Sequence, residues 1–208
     1  MNAVTDRPAR QRNPRGEGDK LRQELLDAAS ELMATHGDID SISLRAVARR
    51  AGVSATAVYR HFDNHVDLLR AAVLDSWAEF LGVLADAQAS SDDPYERFAT
   101  MGQAYVRFAM ERPGRYRVLF SNKLDLGVLD GSSTTTVDGD SAFQLLVDTV
   151  GDILRAQNDE RDPFFVAVQV HTWIHGIVDL QGSRPSMPWP ATEALLDGLR
   201  VALDLNPH

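Results

Sequence analysis

The stretch from Ser43 to Phe62, Ser-Leu-Arg-Ala-Val-Ala-Arg-Arg-Ala-Gly-Val-Ser-Ala-Thr-Ala-Val-Tyr-Arg-His-Phe, constrains this chain more than any other. Ser43 is a good N-cap, and Leu44, Val47 and Ala48 recur at i, i+3 and i+4, which predicts a short helix with one buried stripe. Gly52 follows the last periodic residue, where a left-handed backbone stops the helix, and Val53 supplies an apolar plug behind it. Ser54 then caps a second helix, in which Val58 and Phe62 sit four apart and face inward. Two short helices held across a tight turn leave the outer face of the second one free.

That free face is chemically specific. Ala55, Thr56 and Ala57 in its first turn are small, so the helix end can approach base edges, the threonine bonding a base and the alanines touching thymine methyls. Tyr59, Arg60 and His61 add donors aimed at phosphate. Between Ser41 and Phe62 there are four arginines and no acid, in a chain whose net charge is −9. A local reversal of sign marks a polyanion footprint. Residues 1–62 carry Lys+Arg 10 against Asp+Glu 8, while residues 63–208 carry 11 against 22. DNA would repel the acidic body, which favours docking through the N-terminal part; the alternative is that the acid serves solubility.

The Ala48 to Ser54 block (Ala-Arg-Arg-Ala-Gly-Val-Ser), Tyr59 with His61-Phe62, and the Leu68-Leu69 pair together resemble the helix-turn-helix of the TetR family of transcriptional regulators. The resemblance covers about residues 19 to 70. It implies an all-helical homodimer whose carboxyl domain binds a small organic molecule and thereby alters DNA affinity: a repressor on a palindromic operator, released by an inducer. The candidate DNA-contacting residues are Ser43, Arg45, Ser54, Ala55, Thr56, Ala57, Tyr59, Arg60, His61 and His65. At the start of the fourth helix family members usually carry lysine, where this chain has His65, an imidazole mostly uncharged at neutral pH.

With no cysteine, the chain has no disulfide framework, thiolate nucleophile or zinc-thiolate site. It shows no signal-type apolar core and no run of about 18 apolar residues, so a cytoplasmic protein without membrane contact is expected. Residues 1–18, with Arg7, Arg10, Arg12 and Arg15 among prolines and glycines, read as a flexible arm, either reaching a minor groove or solvated and inert. Periodicity predicts helices from Asp19 or Lys20 to His36, from Asp63 or Asn64 to about Ala89, from Pro94 to before Pro113, and over 114–120, 141–157, 163–181 and 190–205. Residues 121–140, rich in Gly, Ser, Thr and Asp, read as a long loop. The expected fold is all-α: a three-helix head over 19–65, joined by a long helix to a ligand-binding and dimerisation body over 66–208.

The 163–181 helix has two apolar sides, Phe165, Val168, Thr172, His175 and Asp179 on one and Val166, Val170, Trp173, Ile177 and Leu180 on the other. Two sides imply two partners, the subunit's own interior and a second copy. The expected dimer face is Val166, Val170, Trp173, Gly176 and Ile177 with Leu195, Leu199 and Leu203 of the last helix. Gly176 either lets backbones approach or accommodates a bulky neighbour within one subunit. Trp173-Ile174-His175-Gly176 also resembles a Trp-His-Gly element of one carboxyl-domain subgroup of TetR-like proteins. Trp77, Phe80, Met101, Tyr105, Phe108 and Phe143 are candidates to line a ligand pocket, or else ordinary core, and Tyr105 and His175 are the polar candidates for orienting a ligand.

No cofactor and no metal are expected. The competing enzyme reading, a metal-dependent hydrolase on the His171, His175 and Asp179 stripe, lacks a nucleophile motif, a glycine-rich phosphate loop and a second acid/base pair. A non-specific DNA-packaging protein is disfavoured by the negative net charge and the confined basic surface.

Overall fold

Side chains one or two positions ahead of the first turn start most of the helices. In the computed structural model, which describes residues 17–35, 42–120 and 134–207, these are α1 (Glu17–Thr35), α2 (Leu44–Arg50), α3 (Ala55–Val58), α4 (His65–Gln88), α5 (Pro94–Glu111), α6 (Pro113–Phe120), α7 (Thr134–Gln157), α8 (Pro163–Ser183) and α9 (Thr192–Ala202). Among the described residues there is no strand. Ser43 Oγ accepts from the Ala46 N–H at 3.2 Å, Ser54 Oγ from Ala57 at 3.3 Å and Asn64 Oδ1 from Asp67 at 2.9 Å. Asp93 and Asp162 cap α5 and α8 in the same way, each followed by a proline at the first helical position.

Helix α4 is the axis of the molecule. Its first half buries Leu68, Leu69 and Ala72 against α1, which contributes Leu25, Leu26, Ala29 and Met33. Its second half buries Trp77, Phe80 and Leu84 among α5 and α7. One continuous cluster of buried apolar side chains therefore runs from the head through Phe80 to Leu199 of α9. No helix among the described residues is long and apolar enough to cross a membrane.

Two boundaries differ from the sequence reading. Helix α7 begins at Thr134, inside the loop expected over 121–140. From its second turn it packs on α4: a Cβ on Gly139 would lie 3.3 Å from Cη2 of Trp77, and Ala142 is buried. Helix α9 begins two residues after Pro190 and ends before Leu203. The arm over 1–18, apart from the first residues of α1, and residues 121–133 lie outside the described residues.

Candidate nucleic-acid interface and effector cavity

The turn between α2 and α3 is fixed by backbone geometry. Gly52 has φ +68, Val53 N–H donates to Ala48 O at 2.9 Å and Gly52 N–H to Arg49 O at 3.3 Å, the paired bonds that close a helix over a left-handed residue. Val47, Val58 and Phe62 are buried beneath it, and the Arg22 guanidinium lies 5.2 Å over the Phe62 ring. With the inner face so anchored, Ser54, Thr56, Tyr59 and Arg60 are exposed and Ala55 and His61 half-buried. Ala57 is a correction. It is 9% exposed and turns inward beside Val58, so it cannot reach a thymine methyl.

Ser43, Arg45, Tyr59 and His65 meet around one open hollow of about 460 Å³. Asn64 and Asp63, read from sequence only as a helix start, also line it. The first turn of α4 opens into this hollow, with the partial positive charge that a helix N-terminus carries. Of the arginines counted from sequence, Arg50 is held by Glu31 of α1, while Arg45, Arg49 and Arg60 stand exposed.

A cavity of about 170 Å³ lies in the body. Trp77, Phe80, Met101, Tyr105 and Phe143 line it as the sequence suggested, joined by Phe120, Gly139, Ala142 and His171, which the sequence reading did not select for it. Phe108 does not reach it: the ring is buried behind Phe80, with centroids 5.1 Å apart. Nor does His175, which stands behind Tyr105 in an aromatic cluster with Tyr116 and Phe120. Tyr116 and Phe120 are four apart on α6, an apolar pair whose helix was predicted but whose destination was not.

His175 is bonded at both nitrogens, Nε2 lying 2.8 Å from the Tyr105 hydroxyl and Nδ1 2.7 Å from that of Tyr116. In a neutral imidazole one nitrogen donates and the other accepts, so one tyrosine receives the ring N–H and the other donates to the ring. Burial, with His171 beside it, pushes the His175 pKa down to about 4. Burial likewise lowers His171 and raises both tyrosines, so the whole group is uncharged at neutral pH. Both His175 nitrogens are thus occupied by hydroxyls. Among the described residues no group of three or more His, Cys, Asp or Glu is placed to hold a metal ion.

The dimer face read from sequence is corrected by burial within the single chain. Val166, Val170 and Ile177 are in the subunit's own core, where α8 packs against α5 and α7, Leu199 is buried where α9 meets α5 and α8, and Leu195 and Leu203 are half-buried against the same core. The outward side of α8 instead carries Phe164, Phe165, Val168, Trp173 and Leu180. A Cβ on Gly176 would meet nothing within 4 Å.

Arg115 of α6 was not singled out from sequence. It is 4% exposed, and it joins α6 to α1 through Asp27 at 2.7 Å and to α4 through Asp75 at 2.6 Å and Glu79 at 3.0 Å. These carboxylates keep it charged against the cost of burial.

Comparison with known proteins agrees with this architecture. The family described as "Bacterial regulatory proteins, tetR family" matches residues 25–72, and "Tetracyclin repressor-like, C-terminal domain" matches residues 98–201. The HTH-type transcriptional repressor KstR2 of Rhodococcus jostii is 28% identical over 154 residues, covering 62% of this chain and 75% of that one. An uncharacterized HTH-type transcriptional regulator of Mycobacterium tuberculosis is 26% identical, covering 77% of this chain and 69% of its own length. Among solved structures, a TetR family transcription regulator from Marinobacter aquaeolei superposes with a TM-score of 0.73 at 19% identity, covering 92% of this chain and 98% of that one. The two matched regions span the helix-turn-helix head and most of the helical body, and the chain belongs to the TetR family of DNA-binding transcriptional regulators.

Proposed function

We propose that this regulator is a repressor that acts by binding rather than catalysis, holding a palindromic operator as a homodimer and leaving it when a small organic molecule fills the body cavity. The observation that carries this reading is that α4 serves both sites. His65, at its start, lines the hollow of the head, while Trp77, Phe80 and Leu84 line the cavity. Fifteen positions at 1.5 Å each separate His65 from Phe80 by about 22 Å of rigid helix. A ligand that re-seats Phe80 therefore tilts or shifts the head. A coupling of about 1 to 3 kcal/mol, or about 5 to 150-fold in DNA affinity, suffices.

The exposed side of α8 that carries Phe165, Trp173 and Leu180 supports the homodimer, because a second copy laid on it would remove these apolar side chains from water. We divide the chain into an arm over 1–18, a head over 19–65 and a body over 66–208, and place its action in the cytoplasm with its DNA. The related repressor from Rhodococcus jostii supports the sign of regulation.

The test is a release assay. DNA enriched by the protein from a random pool is bound, and a chemically broad set of small molecules is titrated in while polarisation is followed. The reading expects some compounds to weaken binding at least fivefold in the parent and not in Ala142→Phe, which fills the cavity. Release that is equal in both proteins would place the effector elsewhere.

A further inference from the structure

We propose that the effector of this cavity is a small uncharged molecule built on one ring and carrying a hydrogen-bond acceptor, seated so that the acceptor takes the indole N–H of Trp77. The proposal rests on the reading of this cavity as the effector site and narrows it to a chemical class.

Size comes first. A cavity of about 170 Å³ is close to the roughly 150 Å³ apolar cavity that accepts benzene, so one ring with a short substituent fills it. Charge comes second. None of the described residues lining the cavity is Asp, Glu, Lys or Arg, and the histidine among them is neutral. A carboxylate brought against these described residues would be desolvated with no cation among them to meet it, a cost that far exceeds what its ring gains by burial.

Polarity is the third observation and the most specific. The Tyr105 hydroxyl in the wall is already engaged by His175. Trp77 Nε1, by contrast, is buried without a hydrogen-bond partner among the described residues, on a side chain 5% exposed. An orphaned buried N–H is rare, and it is costly unless something supplies an acceptor. The indole is held in place by Phe80 and Phe120, with centroids at 6.1 and 5.7 Å, and by the close approach of Gly139, so the donor is fixed rather than free to swing toward solvent. Apolar rings on several sides and one unsatisfied donor describe an aryl or alicyclic ketone, ester or ether better than any anion.

The experiment is calorimetric titration of the full chain with four probes: acetophenone, ethylbenzene, benzoate and decanoate. Acetophenone is expected to bind about tenfold tighter than ethylbenzene, the difference of one buried hydrogen bond, with benzoate and decanoate weaker than both. In Trp77→Phe, which keeps one aromatic ring and loses the N–H, the ratio of the acetophenone to the ethylbenzene affinity should fall from about tenfold to within about twofold. Ala142→Phe should abolish both. If benzoate or decanoate binds more tightly than acetophenone, the chemical class is wrong while the effector reading stands. If no probe binds the parent protein, the class is also overturned, and the release assay above judges the cavity separately. Equal loss of acetophenone and ethylbenzene in Trp77→Phe would remove the indole donor from the account, a result that needs only this conservative variant to be folded.

Discussion

Arg115 Nη2 lies 2.7 Å from Asp27 Oδ1, and the same carboxylate oxygen accepts from Arg115 Nε at 3.0 Å, across a sequence separation of 88 residues. The guanidinium thus ties the helix that carries Tyr116 and Phe120, beside the cavity, to the first helix of the DNA-binding head. Nη1 meets Asp75 on α4 at 2.6 Å as a charge contact rather than an aligned hydrogen bond. Three helices, α1, α4 and α6, meet at this guanidinium.

Removing that charge leaves Asp27, Asp75 and Glu79 facing one another, with the Gln23 amide donating to Asp75 at 2.8 Å and the half-exposed Arg112 near Glu79. Breaking a buried pair by deleting one partner costs about 3 to 5 kcal/mol, and the partial exposure of these carboxylates reduces the expectation for Arg115→Met to about 2 to 4 kcal/mol. Urea unfolding followed by circular dichroism measures it. A midpoint unchanged from the parent would show that the contact carries no stability.

His175 supplies a pH signature. The unfolded chain protonates this imidazole near its ordinary 6.5, whereas the folded protein keeps it neutral down to about 4, so between these values the unfolded state holds more protons. Stability contributed by this group is therefore complete above about pH 6.5 and is lost progressively as pH falls toward 4. The shift alone corresponds to about 3 kcal/mol, and the ring's partial exposure to solvent brings the expected loss to about 1 to 2 kcal/mol. Thermal unfolding from pH 4 to 7 should show His175→Gln losing less stability than the parent over this window. Two curves that descend in parallel would mean that the histidine is not held neutral.

The head was legible in the sequence because each of its turns is set by a local rule. Ser43 and Ser54 cap as their side chains dictate, and Gly52 takes the positive φ that its position demands. The body was less legible because its decisive features are tertiary. Helix α8 is apolar nearly all round, so spacing could not say whether Val170 or Trp173 faces the core, and neighbours from α5 and α7 settle that Val170 does. The start of α7 has loop-like composition and is helical where Trp77 covers Gly139. Arg115 and its carboxylates are far apart in the chain, and no local pattern joins them. Cavity and close packing look alike in a list of aromatic residues, which is why Phe108 and Phe143 could not be told apart.

The two faces of α8 give opposite outcomes on substitution. Trp173 is 42% exposed, so Trp173→Glu should leave helix content intact and convert a dimer to monomer in sedimentation velocity. Val170 is fully buried, and Val170→Asp should unfold the subunit, at a cost above about 3 kcal/mol. A Trp173→Glu protein that sediments as the parent does would move the subunit contact off this helix.

Selection of bound sequences from a random DNA pool tests most directly whether the exposed first turn of α3 reads an operator and is presented twice. The account predicts an inverted repeat whose half-sites lie about 34 Å apart, or a multiple of it, centre to centre. Thr56→Ala should change the bases preferred within each half-site, and Arg45→Ala should weaken binding to all sequences alike and lower the salt slope by about one. A pool that stays unenriched, or that yields a single unrepeated site with the same preference in Thr56→Ala, would contradict it.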